Sequence, residues 1–212
     1  AEELGRASAP VPFSPSVYLA TEAIKLFGTS EQKENYLPKL ASGEIIATFA
    51  LPESAMEPNP DNIQCTFSSG KLTGTKMPVP DGSYADICVV VVRDKTSDSV
   101  GMSIVNLSEK GIEKKSLSTL DQTRDHAEII FNNASSEIMN SSGDGWSDVQ
   151  QILDIAAVLI SFEQIGGAEA SLNMAKEYAL DRFAFGRQIG SYQAVKHKLA
   201  DMYIKIELAK SN

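Results

Sequence analysis

The stretch from Arg182 to Lys198 combines four cations with a complete lack of acidic residues. Arg187 and Lys196 supply the other two charges, although the chain of 212 residues has a formal net charge of -9. Guanidinium groups beside a glycine-bounded loop and a helix start can bind phosphate, because free backbone N–H groups and the helix dipole favour an anion. Two alternatives stay open on spacing alone: a solvated face with two stray arginines, and a docking surface for an acidic partner.

Cysteine and histidine are the other residue types that could carry chemistry. Cys65 and Cys88 each lie in an apolar, strand-like run. This placement favours buried free thiols over a disulfide, a metal pair or a nucleophile. His126 and His197 have no nucleophile or metal companion at ligand spacing. The sequence therefore predicts no metal site, and these residues identify no catalytic group.

The elements that must position these residues begin with a helical zone. Apolar residues between positions 16 and 40 recur at helical spacing, and Gly28 follows as a stop signal. A second short helix is expected to begin at Thr29 or Ser30 and to end at Pro38, because proline lacks an N–H group.

The second zone, from position 44 to about position 140, has the pattern of a β domain. Its short segments are rich in β-branched residues and are separated by turn clusters: EIIATFAL, NIQCTF, KLTGTKM, DICVVVVR, GMSIVNL and HAEIIFNN. Six or more strands without an intervening helix predict an antiparallel sandwich or barrel. The run ICVVVV is apolar throughout, so this strand is expected to be central and covered on both faces.

The third zone has the pattern of two long helices. A capping box at residues 147–150 predicts the start of the first, which is expected to run to Ala184. Gly166 and Gly167 lie inside it and predict that another backbone passes close by, since glycine is costly in a helix interior. After a turn at residues 186–190, an apolar stripe predicts an antiparallel second helix.

The order of these zones predicts an α+β fold in three parts. A helical segment occupies residues 1–43, a β domain residues 44–143 and a helical hairpin residues 144–212. The chain starts without Met and stops inside a helical pattern, so we expect a piece of a longer protein. Its acidic balance argues against nucleic acid as a partner. The absence of a long apolar run or a signal pattern predicts no membrane span and a cytoplasmic location.

Several segments together resemble the acyl-CoA dehydrogenase family. The segment YALDRFAFGRQIGSYQAVKHKLADM is similar to the family signature, in which Arg-x-x-Phe-Gly precedes a Gln and then Leu-Ala-Asp-Met. Four other segments agree in order: EELGRASAPVPF, GTSEQKENYLPKLASGEIIATFALPE, GTKMPVPDGSYADICVVVVR and EQIGGAEASLNMAKEYA. The resemblance covers essentially the whole chain and implies the family's fold, in which the last two helices belong to a four-helix bundle.

The resemblance also implies FAD as the cofactor. In relatives, the Arg that matches Arg182 contacts the FAD pyrophosphate of a neighbouring subunit, and two further matching positions lie close to the cofactor. Two segments of the β domain flank the isoalloxazine ring. The implied cofactor-binding residues are Phe49, Leu51, Pro52, Glu53, Pro78, Val79, Pro80, Arg182, Phe185 and Gln193.

The activity implied by the resemblance is α,β-dehydrogenation of an acyl-CoA thioester. A carboxylate removes the α-proton while the β-hydride passes to the flavin. The implied partners are the acyl-CoA substrate, an electron-transfer flavoprotein and further copies or homologous subunits in a homo- or hetero-oligomer. The segment LSTLDQTRDH resembles forms associated with bulky acyl groups such as steroid side chains, some of them in heteromeric complexes with a non-catalytic subunit.

The sequence departs from the family at three sites. Pro52 replaces a Thr, and Pro78–Pro80 replaces the Trp-Ile-Thr run, so flavin contacts are expected to be weaker. These prolines equally suit turns or strand edges. The family draws its catalytic Glu either from about the position of Ala156 or from a later helix that would lie beyond Asn212, so neither is visible in this sequence. Asp154 and Glu163 do not match the motif position of a base. A non-catalytic subunit and a related flavoenzyme, such as an acyl-CoA oxidase or a flavin monooxygenase, therefore remain alternatives.

Overall fold

The computed structural model describes residues 1–121 and 123–211. Five α-helices are present in these residues, with a π-helix over Ser14–Thr21 and 3-10 turns over Pro60–Asn62 and Ile189–Ser191. The α-helices are α1 (Glu2–Arg6), α2 (Glu22–Phe27), α3 (Ser30–Ser42), α4 (Gly145–Asp181) and α5 (Gln193–Ser211).

Within the same described residues, eight strands form one sheet and two short strands form a hairpin. The sheet strands are β1 (Ala47–Ala50), β2 (Thr66–Ser68), β3 (Lys71–Pro80), β4 (Ile87–Asp94), β5 (Ser99–Asn106), β6 (Ile112–Ser116), β7 (His126–Ser135) and β8 (Glu137–Ile138). Their order is β6-β7-β3-β2-β4-β5-β8, and β1 also pairs with β4. The hairpin consists of β9 (Phe183–Ala184) and β10 (Arg187–Gln188).

Strand β4 lies at the centre of the sheet, as its uniform apolar sequence predicts. It pairs with β1, β2 and β5, and its residues from Ile87 to Val92 are buried. Alternate side chains enter two different core clusters: Val89 and Val91 belong to one and Val90 and Val92 to the other. Both faces of the strand are therefore covered.

The chain forms two compact units. One unit consists of residues 10–156, and the other joins residues 1–9 to residues 157–212. The first unit contains the sheet and helices α2 and α3. The second contains α1, most of α4, the short hairpin and α5, with Ile165, Leu172 and Ile206 in its small core. The three-part division of the chain stays a prediction.

Helix α3 extends past the point where the sequence predicted its end. Its start is a capping box, in which Thr29 and Gln32 exchange hydrogen bonds of 3.1 and 2.9 Å with each other's backbone N–H groups. The prediction that Pro38 ends the helix is wrong, because the helix continues to Gly43, a left-handed C-cap. Proline removes one hydrogen bond, and the packing of leucines from the same helix against the core offsets that loss.

Both ends of α4 differ from the prediction made from the sequence. The helix begins at Gly145, because Asp144 accepts hydrogen bonds from the Trp146 N–H at 3.1 Å and from the Ser147 hydroxyl at 2.7 Å. The residue that caps this helix is therefore Asp144, and the predicted box at residues 147–150 is wrong. The helix ends at Asp181 because the next residues form the β9–β10 hairpin.

The sheet is mixed and not wholly antiparallel. Strands β1 and β2 both run parallel to β4. The sequence analysis also missed two strands, β6 and β8. Strand β6 is an exposed edge strand with the sequence IEKKS, so it lacks the apolar alternation of a half-buried strand.

The two glycines inside α4 lie where α1 crosses it, as predicted. A β-carbon on Gly166 would come within 1.9 Å of the Glu2 carbonyl oxygen, and one on Gly5 within 1.7 Å of the Glu163 carbonyl oxygen. The crossing therefore requires glycine on both helices. An ion-pair cluster surrounds it: Glu169 accepts hydrogen bonds from Arg6 at 2.6 Å and from Lys210 at 2.8 Å.

By length and composition alone, α4 could cross a membrane. One such helix is weak evidence, because the core helix of a soluble protein passes the same test. The predictions of no membrane span and of a cytoplasmic location therefore stay predictions.

Candidate functional site

The two β-domain segments predicted to flank a flavin ring lie against each other. The Thr48 hydroxyl donates to the Pro80 carbonyl oxygen at 2.5 Å, and the Met77 N–H donates to the Pro52 carbonyl oxygen at 2.9 Å. Strand β1 thus ends beside the last residues of β3. We call residues 48–53 and 76–80, which include the predicted segments 49–53 and 78–80, the ring-flanking segments.

A buried lysine joins the ring-flanking segments. The Lys76 side chain is completely buried, and its ammonium group donates to the Leu51 carbonyl oxygen at 2.9 Å and to Glu53 Oε1 at 2.7 Å. The Glu53 carboxylate also accepts the backbone N–H groups of Gln64 at 2.8 Å and Cys65 at 2.9 Å. Burial lowers the pKa of Lys76, and the hydrogen bond and charge of Glu53 oppose this shift.

The remaining predicted ring-side residues differ in exposure. Phe49 and Leu51 are buried in the core, and Val79 is fully buried and pairs with Ala127 on β7. Pro78 is exposed, and the register between β3 and β7 shifts next to it. The side chain of Val79 is therefore committed to the core, and the outward surface here is formed by prolines that carry no N–H group.

The sequence analysis did not identify Lys76, although the alternation of residues along β3 places this lysine on the inward face of the strand. Residues 72, 74 and 76 alternate along β3, so Lys76 lies on the same face as the buried Leu72. A lysine at an inward position of a strand requires a buried partner, because an isolated charge is strongly unfavourable in the interior. Here the partner comes from Glu53, which the sequence analysis had singled out for another reason.

The cationic residues around Arg182 form a short hairpin between α4 and α5. Residues 183–184 pair with residues 187–188, and the tip consists of Phe185 at φ 52° and Gly186 at φ 79°. Two successive positive φ angles are typical of a tight two-residue turn that favours glycine. Phe185 is 97% exposed at this tip.

Two hydrogen bonds fix the base of the hairpin. The Ile189 N–H donates to the Arg182 carbonyl oxygen at 2.8 Å, and the Tyr192 hydroxyl donates to the Ala184 carbonyl oxygen at 3.0 Å. Helix α5 then begins at Gln193, which is exposed, with no acidic residue in its first turn. Arg182, Phe185 and Gln193 are thus brought together by one turn of chain and the start of a helix.

The two arginines of the hairpin are in different environments. The guanidinium of Arg187 lies 3.9 Å from the centre of the Tyr192 ring, which is a cation–π contact. The side chain of Arg182 is exposed and has no hydrogen-bond or ion-pair partner among residues 1–121 and 123–211. Of the two arginines, Arg182 is therefore the one that can meet an anion from outside this unit, beside the positive end of the α5 dipole.

Position 156, which the sequence analysis compared with the family's catalytic Glu, has no side chain that could act as a base. Ala156 is buried, and Asp154 on the same helix is exposed. Cys65 and Cys88 are free and buried, as predicted, and burial raises the pKa of the Cys65 thiol to about 12. Neither thiol suits a nucleophile, because the reactive form is the thiolate.

Comparison with known proteins gives consistent matches along the chain. The family models described as acyl-CoA dehydrogenase N-terminal domain and C-terminal domain match residues 1–44 and 143–212. An acyl-CoA dehydrogenase of Bacillus subtilis is 32% identical over 98% of this chain and 59% of its own length.

Solved structures agree with the sequence matches. A glutaryl-CoA dehydrogenase of Mycobacterium smegmatis in complex with FADH2 has a TM-score of 0.88 at 25% identity, over 98% of this chain and 56% of its own. The ChsE4-ChsE5 complex of Mycobacterium tuberculosis has a TM-score of 0.81 at 28% identity, over 97% and 55%. The chain thus spans little more than half the length of the proteins that it matches.

Proposed function

Because the chain belongs to the acyl-CoA dehydrogenase family, we propose that it takes part in FAD-dependent α,β-dehydrogenation of an acyl-CoA thioester. The observation that carries this proposal is the exposed guanidinium of Arg182, which has no partner among the described residues and lies beside an acid-free helix start. A diphosphate is the ligand that this arrangement suits, since it accepts charge-assisted hydrogen bonds and lies favourably at a helix N-terminus.

The two ends of FAD fit this chain unequally. The hairpin suits the phosphates: Arg182 is the residue that would hold them, and Phe185 and Gln193 would lie close to the same cofactor. The ring-flanking segments offer few donors: three of their residues are prolines, the Thr48 hydroxyl and the Met77 N–H already have acceptors, and both the Lys76 ammonium and the Glu53 carboxylate are engaged. The ring side therefore does not fit a flavin that relies on hydrogen bonds from this chain.

Within the proposed reaction, bound FAD supplies the acceptor for the substrate's β-hydride. This chain's own contribution is positioning. Arg182 would hold a phosphate oxygen, the hairpin holds the backbone of that arginine through the Ile189 N–H, and the Lys76–Glu53 pair holds the two ring-flanking segments together. The α-proton requires a base from another position, since Ala156 has no titratable group.

A second candidate function is that of a non-catalytic subunit in a heteromeric dehydrogenase. In the ring-flanking segments, the Thr48 hydroxyl, the Met77 N–H and the Lys76 ammonium already donate to acceptors within the chain, and this favours the second candidate. A non-catalytic subunit would need to bind only the phosphates of a cofactor whose flavin ring lies on the partner subunit. An electron-transfer flavoprotein as acceptor, and a homo- or hetero-oligomer as the assembled state, belong to the same proposal.

The test is to purify the protein with its natural partners, record its flavin spectrum and add acyl-CoA without oxygen. Bleaching of the flavin supports the dehydrogenase, and bound flavin that does not respond supports the accessory subunit. Rapid reoxidation in air would instead indicate an oxidase.

A pair of variants tests the phosphate site directly. Arg182→Ala should lower flavin occupancy at least about tenfold, since a charge-assisted contact contributes about 1.5–3 kcal/mol. Lys198→Ala is the matched control: it removes one cation from the same acid-free stretch and should leave occupancy within about twofold. Equal occupancy in both variants would refute the role given to Arg182.

A further inference from the structure

A cavity of about 490 Å³ opens on the β-domain unit next to the ring-flanking segments. Its wall includes Asp81, which directly follows Pro80, and Tyr84 from the same turn between β3 and β4. The rest comes from the loop before the π-helix, the end of β6 and the turn between β6 and β7. Volumes of this size are typical of small-molecule sites. Most such sites are apolar, whereas this cavity is lined mainly by charged and hydroxyl-bearing side chains.

Asp81 is a buried group in this wall whose carboxylate has unused hydrogen-bonding capacity. The residue is 6% exposed, and its backbone N–H donates to the Asp125 carbonyl oxygen at 2.9 Å. In the part of the chain that the structure describes, its carboxylate accepts no hydrogen bond. Burial raises the pKa of Asp81, and the nearby Arg124 opposes the shift. A buried acceptor without a donor is unfavourable until a ligand supplies one.

The neighbouring charged groups already have partners. The Arg124 guanidinium donates to the Val11 carbonyl oxygen at 2.8 Å, and the Asp125 carboxylate accepts the Ser83 N–H at 3.0 Å. Thr123 donates both its N–H and its hydroxyl to Asp121. These contacts fix the wall of the cavity and leave the Asp81 carboxylate as a buried acceptor in it.

We propose that this cavity binds the acyl group of the substrate and selects acyl groups that carry a hydroxyl, which donates to the Asp81 carboxylate. The proposal rests on the proposed function, since an acyl-CoA is its substrate and the cavity adjoins the ring-flanking segments through Asp81, which directly follows Pro80. A plain alkyl chain would cover Asp81 without supplying a donor, and it would keep water away from the polar side chains of the wall. Selection of a hydroxylated acyl group follows.

The experiment compares two thioesters that differ in one atom type. Binding of 5-hydroxypentanoyl-CoA and hexanoyl-CoA, which have equal numbers of non-hydrogen atoms, is measured by calorimetry on the purified protein. We expect the hydroxylated ester to bind about tenfold more tightly, as one hydrogen bond to a carboxylate contributes about 1.5–3 kcal/mol.

Three variants separate the role of Asp81 from its backbone. Asp81 has φ 52°, so Asp81→Gly removes the acceptor without strain and should abolish the preference. Asp81→Asn keeps an acceptor oxygen and tolerates this φ, so it should retain part of the preference. Asp98 has φ 53° in an exposed turn, and Asp98→Gly should therefore leave the preference unchanged.

The outcomes distinguish the two proposals. Equal or tighter binding of hexanoyl-CoA, or a preference that survives in Asp81→Gly, would overturn the acyl selection while leaving the proposed function intact. If neither thioester binds, the proposed function fails, and the acyl selection fails with it.

Discussion

The ring-flanking segments and the β9–β10 hairpin hold their polar groups in opposite ways. In the ring-flanking segments, a buried ammonium, a carboxylate, a hydroxyl and a backbone N–H all have partners within the chain. In the hairpin, Phe185 is almost fully exposed, and the Arg182 side chain has no partner among the residues described. The comparison shows which region is complete by itself and which has contacts left to make.

This difference matters for function because an unsatisfied group is the one that can bind something else. The hairpin can gain free energy from a diphosphate at no cost in existing contacts, whereas a ligand at the ring-flanking segments would have to displace hydrogen bonds. The phosphate end of the proposed cofactor therefore has the stronger physical support in this chain.

The largest effect is expected from Lys76→Ala, which tests whether the ring-flanking segments depend on their ion pair. The substitution leaves Glu53, whose side chain is only 12% exposed, without its cation. The loss of a partner in a buried pair costs about 3–5 kcal/mol of unfolding free energy. Urea denaturation at neutral pH measures it.

Two controls make this result specific. Lys115 pairs with Glu113 and Glu128 at 3.6 Å on the surface, and Lys115→Ala should cost under about 1 kcal/mol. The double variant Lys76→Met with Glu53→Gln should be more stable than Lys76→Ala, since no buried charge is left unpaired. If Lys76→Ala behaves like Lys115→Ala, the ring-flanking segments do not depend on this pair.

The second effect concerns the backbone that supports the hairpin. Gly166→Ala places a β-carbon within 1.9 Å of a carbonyl oxygen of α1 and should cost about 1–3 kcal/mol, because two backbones must separate. Gly167→Ala is the matched control: its β-carbon would lie 3.4 Å from the nearest atom, and alanine favours a helix by about 1 kcal/mol. Thermal unfolding of both variants should move in opposite directions. The same direction for both would show that the helix crossing is not tight.

Much of this architecture could be predicted from sequence because its causes are local. The apolar run of β4 predicted that this strand is central in the sheet, and Gly166 predicted that another backbone passes close to α4. The parallel pairing of β1 and β2 with β4 could not be predicted, since pairing partners are distant in sequence. The prediction at Pro38 failed for a related reason. The helix packs against the core, and this packing offsets the hydrogen bond that the proline removes.

The candidate site shows the same division. The cationic stretch around Arg182 was visible as composition, and its resemblance to a family suggested a ligand. The sequence could not show that Arg187 contacts the Tyr192 ring whereas Arg182 has no partner among the described residues, because the position of that ring is set by the tertiary structure. The Lys76–Glu53 pair joins residues 23 positions apart, and only the inward position of Lys76 on its strand hinted at it.

A smaller effect should separate the two arginines of the hairpin by stability alone. Arg187→Ala removes the cation–π contact with Tyr192 and should cost about 0.5–1 kcal/mol of unfolding free energy. Arg182→Ala removes no contact within the described chain, so the free protein should change by under about 0.5 kcal/mol. Chemical denaturation without added nucleotide checks both. A larger loss for Arg182→Ala would mean that this side chain is structural and would weaken the comparison.

The smallest expected effect is the reaction of the native thiols with a thiol reagent, and it contrasts the two regions most directly. Cys65 adjoins the Lys76–Glu53 pair and is fully buried, with its pKa raised to about 12 chiefly by desolvation. At mild alkaline pH its thiolate fraction is about a thousandfold below that of an ordinary thiol, and burial blocks the reagent as well. The native protein should therefore show almost no labelling.

The variant Phe185→Cys places a thiol at the exposed hairpin tip and should label at the rate of a free cysteine. Rapid labelling of Cys65 in the native protein would mean that the ring-flanking segments open readily, and the contrast between a complete region and an open one would then fail.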